Sequence, residues 1–148
     1  MKIFLDANIC LDFLDSSRLN SKDSISWYMK NKDNQDLEFY FSGNFITTLY
    51  YILTQKRKLE VNIVINAINQ LCQEIAPVYL VHNDFLLAQK SFSENGFDDF
   101  EDLVILQSTS RVNCNIFITN DKKLLKLENF NNIKIQTERL AYSFKRIF

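Results

Sequence analysis

The chain has 148 residues, a formal net charge of −1 and 47% hydrophobic residues, with thirteen Phe against two Gly and one Pro. That composition excludes a disordered or linker-rich polypeptide and supplies enough apolar surface for a proper core. The near-neutral charge excludes a strongly basic nucleic-acid footprint, leaving local runs at Lys56, Arg57 and Lys58 and at Lys122, Lys123 and Lys126.

No apolar stretch reaches the roughly 18 residues of a membrane span, and because the N-terminus enters a strand at once it is not expected to be a secretion signal. Cys10, Cys72 and Cys114 are odd in number and lack disulfide or zinc spacing. They read as reduced core residues. The expectation is a single domain over residues 1–148, cytoplasmic and without membrane contact.

Ile3, Phe4 and Leu5 predict a buried strand, and Ile9, Leu11, Phe13 and Leu14 the apolar side of a helix. Asp6 and Asn8 sit at the joint. A carboxylate there is costly to desolvate unless a donor or a cation meets it, so Asp6 is either a helix cap or a cation ligand. A second helix spans 21–30 around Ile25, Trp27 and Tyr28, and a strand spans 37–42, bounded by Gly43 and Asn44. Apolar residues at 45, 46, 49, 52 and 53 have helical spacing. The segment 61–75 repeats it and is ended by Pro77.

A third strand is expected over 77–82, ending at His82, then a helix closed by Gly96 and another over 98–113. A fourth strand over 114–119, a short helix over 120–127 and a fifth strand over 133–137 complete the order. Trp27, Tyr50, Tyr51 and the Phe residues read as core, and the lone His82 as structural. Neither a repeat nor a Gly-rich phosphate loop is present.

Strands alternating with helices imply a mainly parallel sheet covered on both faces. Ligands of such sheets collect at the carboxyl ends of the strands. Asp6 lies just past strand one and Asp121 just past strand four, so the two converge on one rim if those strands are neighbours. The acidic start of the "DDFEDLVILQ" helix can reach the rim or the opposite end of the sheet. Ionised carboxylates gathered in one place need a cation between them. Oxygen-only ligation suits Mg²⁺ or Mn²⁺, which can activate water for phosphodiester hydrolysis. Each acid also has a structural reading as a cap: Asp6 for the first helix, Asp121 for the short one, and Asp98 with Glu101 as a capping box.

At these residues the chain resembles the PIN-domain family of VapC-like toxin ribonucleases, from "FLDANICLDFL" through "TTLYYILTQKRK" to "DDFEDLVILQSTSRVNCNIFITNDKKLL". The resemblance implies a three-layer α/β/α sandwich with a mainly parallel five-stranded sheet. It implies Asp6, Asp102 and Asp121 as carboxylates around a Mg²⁺ (or Mn²⁺) ion, with Asn8 and Thr119 orienting water. Asp99 and Glu101 are possible extra ligands, and Asp12 a further one.

The implied activity is RNA cleavage by the toxin of a type II toxin–antitoxin pair, with a homodimer and a small antitoxin as partners. Two positions depart from the family pattern. Thr48 stands where a helix Glu is usual, and Leu124 where many relatives have another acid, which points to one ion rather than two. Thr48 therefore keeps an alternative open, a PIN-like RNA-binding or protein-interaction module that does not cleave. A phosphotransfer fold with Asp6 as acceptor is a third reading, weakened by Asn8 where such folds carry a second Asp.

Overall fold

Ile3, Phe4 and Leu5 carry no polar alternation, the pattern of a strand covered on both faces. In the computed structural model, which describes residues 1–95 and 97–138, they form β1 (Lys2–Leu5) near the middle of a six-stranded sheet. The other strands are β2 (Glu38–Ser42), β3 (Ala76–Val78), β4 (Ile116–Ile118), β5 (Asn129–Phe130) and β6 (Ile133–Gln136). Their spatial order is β3-β2-β1-β4-β6-β5. All neighbouring pairs are parallel except β5 with β6.

The five expected strands are present, and β5 is an addition. It is two residues long and joins β6 through Asn131 and Asn132, whose φ values are 45° and 67°. Positive φ at both central residues is the geometry of a tight hairpin turn, and Asn tolerates it better than most residues. The sequence signal was the Asn-Asn pair itself.

Helices α1 (Ala7–Leu14), α2 (Ser21–Asn31), α3 (Phe45–Tyr51), α4 (Val61–Glu74), α5 (His82–Asn95), α6 (Phe100–Arg111) and α7 (Lys122–Leu125) complete a three-layer sandwich. The helical spacing read in α3 and α4 is what becomes buried: Phe45, Leu49 and Leu53, then Val64, Ile68 and Leu71. A π-helical turn, Ile52–Lys56, continues α3. The rings of Phe4 and Phe117 stack at 5.7 Å across the two central strands. Beside this core, Ala88, Leu103 and Val104 form a smaller cluster between α5 and α6. There Arg111 clasps the fully buried Asp84 at 3.0 Å and also donates to the Tyr79 carbonyl. Among the described residues no helix is long and apolar enough to cross a membrane.

Several local expectations change. The third strand ends at Val78, and His82 opens α5, where its ring stacks on Phe85. Pro77 lies within β3 rather than just past a helix, acceptable because β3 is an edge strand. Trp27 is buried as expected, but Tyr50 and Tyr51 on α3 and Phe85 and Phe92 on α5 are exposed, since each helix buries only one stripe. Cys10 and Cys114 are buried, whereas Cys72 is only partly so. The expected helix closure at Gly96 lies outside the described residues.

Candidate active site

Leu5 lies opposite Ile118 in the parallel pairing of β1 with β4. The next two residues, Asp6 and Thr119, therefore leave the sheet side by side, and the Asp6 N–H still donates to the Ile118 carbonyl at 3.0 Å. From β1 the chain builds outward to β2 and β3 on one side and to β4 and β6 on the other. The β1–β4 boundary is thus the point where strand order reverses, which opens a crevice at the carboxyl ends.

Hydrogen bonds lock the crevice floor. Thr119 Oγ1 donates to Asp6 Oδ2 at 2.7 Å and accepts from Asn8 Nδ2 at 3.3 Å and from the Asp121 N–H at 3.0 Å. Asn8 Nδ2 also donates to Asp6 Oδ2 at 3.0 Å, and Asn8 Oδ1 accepts from the Asn120 N–H at 3.2 Å. A fully buried threonine hydroxyl thereby ties the end of strand β1 to the loop that carries Asp121.

The structural reading of each acid is also realised. Asp6 Oδ1 accepts from the Ala7 N–H at 2.8 Å and caps α1; Asp121 Oδ1 accepts from the Lys123 N–H at 2.8 Å and caps α7. The cap of α6 is Asp99, which accepts from the Asp102 N–H at 3.2 Å, so the expected box of Asp98 with Glu101 is displaced by one residue. Capping leaves each carboxylate with further lone pairs, so it does not compete with cation binding. Half-buried Asp102 differs: its carboxylate accepts no hydrogen bond among the described residues.

Electrostatics links these groups. Burial pushes the Asp102 carboxyl up to about 7, and the negative charges of Asp99, Asp6, Asp121 and Glu101 add to the effect. Asp6 is also raised, by burial first and by Asp121, against the lowering hydrogen bonds from Thr119, Ala7 and Asn8. The five acids thus bear on one another, and a positive charge among them is favoured. Among the described residues no three His, Cys, Asp or Glu side chains are drawn together as a closed ligand set. An open, oxygen-only carboxylate site suits Mg²⁺, which dehydrates reluctantly and keeps several waters.

The remaining candidates fall outside this knot. Asp12 is buried and spent on Arg18 Nε at 2.8 Å, Ser24 Oγ at 3.0 Å and Asn120 Nδ2 at 3.4 Å, so it braces the 119–121 loop. Thr48, exposed on α3, lines a neighbouring cavity of about 340 Å³ with Asn44, Phe100, Glu101 and Ile105. Leu124 is buried in the core. Asn120, part of the Thr-Asn-Asp run that resembles the family's later block, ties Asn8 to Asp12. Sequence reasoning did not single out Arg18, which has no motif of its own and gains meaning only through Asp12.

A family model of the PIN domain matches residues 3–129, and the chain belongs to the PIN-domain family. Ribonuclease VapC1 of Aquifex aeolicus is 27% identical over 122 residues, 82% of each chain. Among solved structures, VapBC2 of Rickettsia felis bound to a promoter DNA fragment superposes with a TM-score of 0.65 at 14% identity, over 93% of this chain and 98% of the other. VapC20 of Mycobacterium tuberculosis, a Sarcin-Ricin loop cleaving toxin, gives 0.68 at 8% identity, over 87% and 97%. VapBC-1 of nontypeable Haemophilus influenzae gives 0.67 at 17% identity, over 94% and 99%. These likenesses agree with the three-layer fold, and the family match stands in place of the phosphotransfer fold of the third reading.

Proposed function

We propose that this chain is a Mg²⁺-dependent endoribonuclease, the toxin of a type II toxin–antitoxin pair, acting on RNA in the cytoplasm as one PIN-like unit over residues 1–148. The observation that carries the reading is the β1–β4 crevice, where Asp6 and Thr119 emerge together and share a repulsive field with Asp102 and Asp121. Asp6, Asp102 and Asp121 would hold Mg²⁺ or Mn²⁺, which when bound lowers the pKa of water and neutralises a phosphodiester. Thr119 and Asn8 fix Asp6 Oδ2, so one carboxylate keeps its aim while the others adjust. Asp99 holds the start of α6 and thereby the backbone of Asp102. Glu101 adds negative charge on the side facing Thr48.

The partner readings rest on the VapBC assemblies among the structural neighbours. A homodimer is supported by the apolar side chains Phe85, Leu86 and Phe92 exposed on α5. Cleavage of a mixed single-stranded RNA with Mg²⁺ is expected for the unsubstituted chain and is lost in Asp6→Asn. Equal cleavage by both proteins overturns the assignment of Asp6.

Thr48 favours a second reading, a PIN-like module that binds RNA or protein without cutting. A hydroxyl brings no charge to the cavity it shares with Glu101. Calorimetric titration with Mg²⁺ separates the two. Binding that disappears in Asp102→Asn supports the nuclease, and Thr48→Glu is expected to tighten it severalfold.

A further inference from the structure

We propose that the cavity beside the acidic rim, with Lys123 on its lining and Phe97, Leu124 and Leu127 as its apolar wall, is the subsite for one nucleotide of a single-stranded RNA. Its phosphate sits on Lys123 and its base against the apolar wall. This inference rests on the endoribonuclease reading above.

The cavity has a volume of about 130 Å³, and its linings differ in chemistry. Asp98, Asp99 and Asp102 form the side that faces the rim; Phe97, Leu124 and Leu127 form the other. Leu127 is left 38% exposed at a concave surface, where an apolar side chain gains from a covering ligand. Phe97 is held edge-on by Phe130, with ring centroids 6.1 Å apart. A ring held in this way offers a base an ordered surface, and stacking of this kind tolerates any sequence. The space admits one base-sized ring system and not a duplex, whose base faces are already covered.

Lys123 supplies the charge. Its N–H is pinned by Asp121 Oδ1 at 2.8 Å, so its backbone moves with the acidic centre while its side chain stays exposed. Although Asp98, Asp99 and Asp102 line the same cavity, Lys123 forms no ion pair with them among the described residues. Lys122 and Lys126 are its near neighbours in sequence, and among the described residues Lys123 is the one cation on the cavity lining beside the acids. A phosphate approaching carboxylates is repelled unless a cation meets it, and the ammonium of Lys123 at the cavity lining can do so.

The test is binding of a short, fluorescently labelled single-stranded RNA, read by anisotropy across a salt series with Mg²⁺ present. The full chain carries Asp6→Asn so that the RNA survives. Adding Lys123→Gln is expected to weaken binding about three- to tenfold at low salt and to flatten the log K against log salt slope by about 0.7, the share of one single-strand phosphate. Phe97→Leu keeps an apolar side chain against Phe130 and is expected to weaken binding about fivefold with the slope unchanged. Lys90→Gln, on α5, is the surface control. If Lys123→Gln and Phe97→Leu both bind like the Asp6→Asn parent, the subsite is overturned while the nuclease reading stands. If the parent binds no RNA and the unsubstituted chain cleaves none, both fall together.

Discussion

Thr119 makes three contacts through one hydroxyl, donating to Asp6 and accepting from Asn8 and Asp121. Thr119→Val keeps the shape and removes all three, leaving the part-buried Asp121 N–H without its acceptor while Asn8 still donates to Asp6. We expect a loss of about 1–3 kcal/mol in urea unfolding and a fall in RNA cleavage of at least tenfold, with Thr119→Ser restoring most of both. Asp102 sets a pH dependence. Its carboxyl is raised from 3.8 to about 7 in the fold, so between those values the folded chain holds a proton that the unfolded chain has released. Stability of the metal-free protein therefore falls as pH rises through that window. Thermal unfolding should show this decline, flattened in Asp102→Asn. Because Mg²⁺ competes with that proton, its affinity should rise over the same range.

At the scale of elements, acids at helix starts do two things at once. Asp6, Asp99 and Asp121 each satisfy a backbone N–H at the head of a helix, so those helices end at the rim with carboxylates in place. Asp99→Ala should cost about 1 kcal/mol by loss of the cap and loosen the start of α6, seen as faster amide exchange over its first turn. The α5–α6 pair depends on Arg111 and Asp84. Arg111→Met strands a buried carboxylate and should cost about 3–5 kcal/mol in denaturant unfolding, whereas changing both residues to apolar ones recovers much of that. The helical spacing of α3 and α4 was legible because each buries one stripe. The end of strand β3 was not, because the apolar run Val78–Val81 reads alike for a strand and for the loop that leads into α5.

Across the whole molecule, the two halves of the sheet meet at β1 and β4, and the site lies on that seam. Phe4 and Phe117 stack there, both essentially buried. Phe4→Ala should cost about 3–5 kcal/mol, a large share of the roughly 5–15 kcal/mol that holds a domain together. The expected readout is a lower urea midpoint with an unchanged slope. Cleavage should fall in step with the folded fraction.

Chemistry and order were already determined by the sequence: an apolar strand ending in Asp6, an acidic helix start at 98–102, and an apolar strand ending in Thr119 and Asp121. Those features follow from local rules, since burial sets strand composition and caps set helix starts. Only the tertiary structure decided which acids share a field, because that depends on β4 pairing with β1 in the register that sets Leu5 against Ile118. The same long-range pairing set Asn120 of the loop after β4 against Asp12 at 3.4 Å. It also brought Lys123 and Phe97 to one cavity, since residues 26 positions apart meet only when the sheet and its helices close.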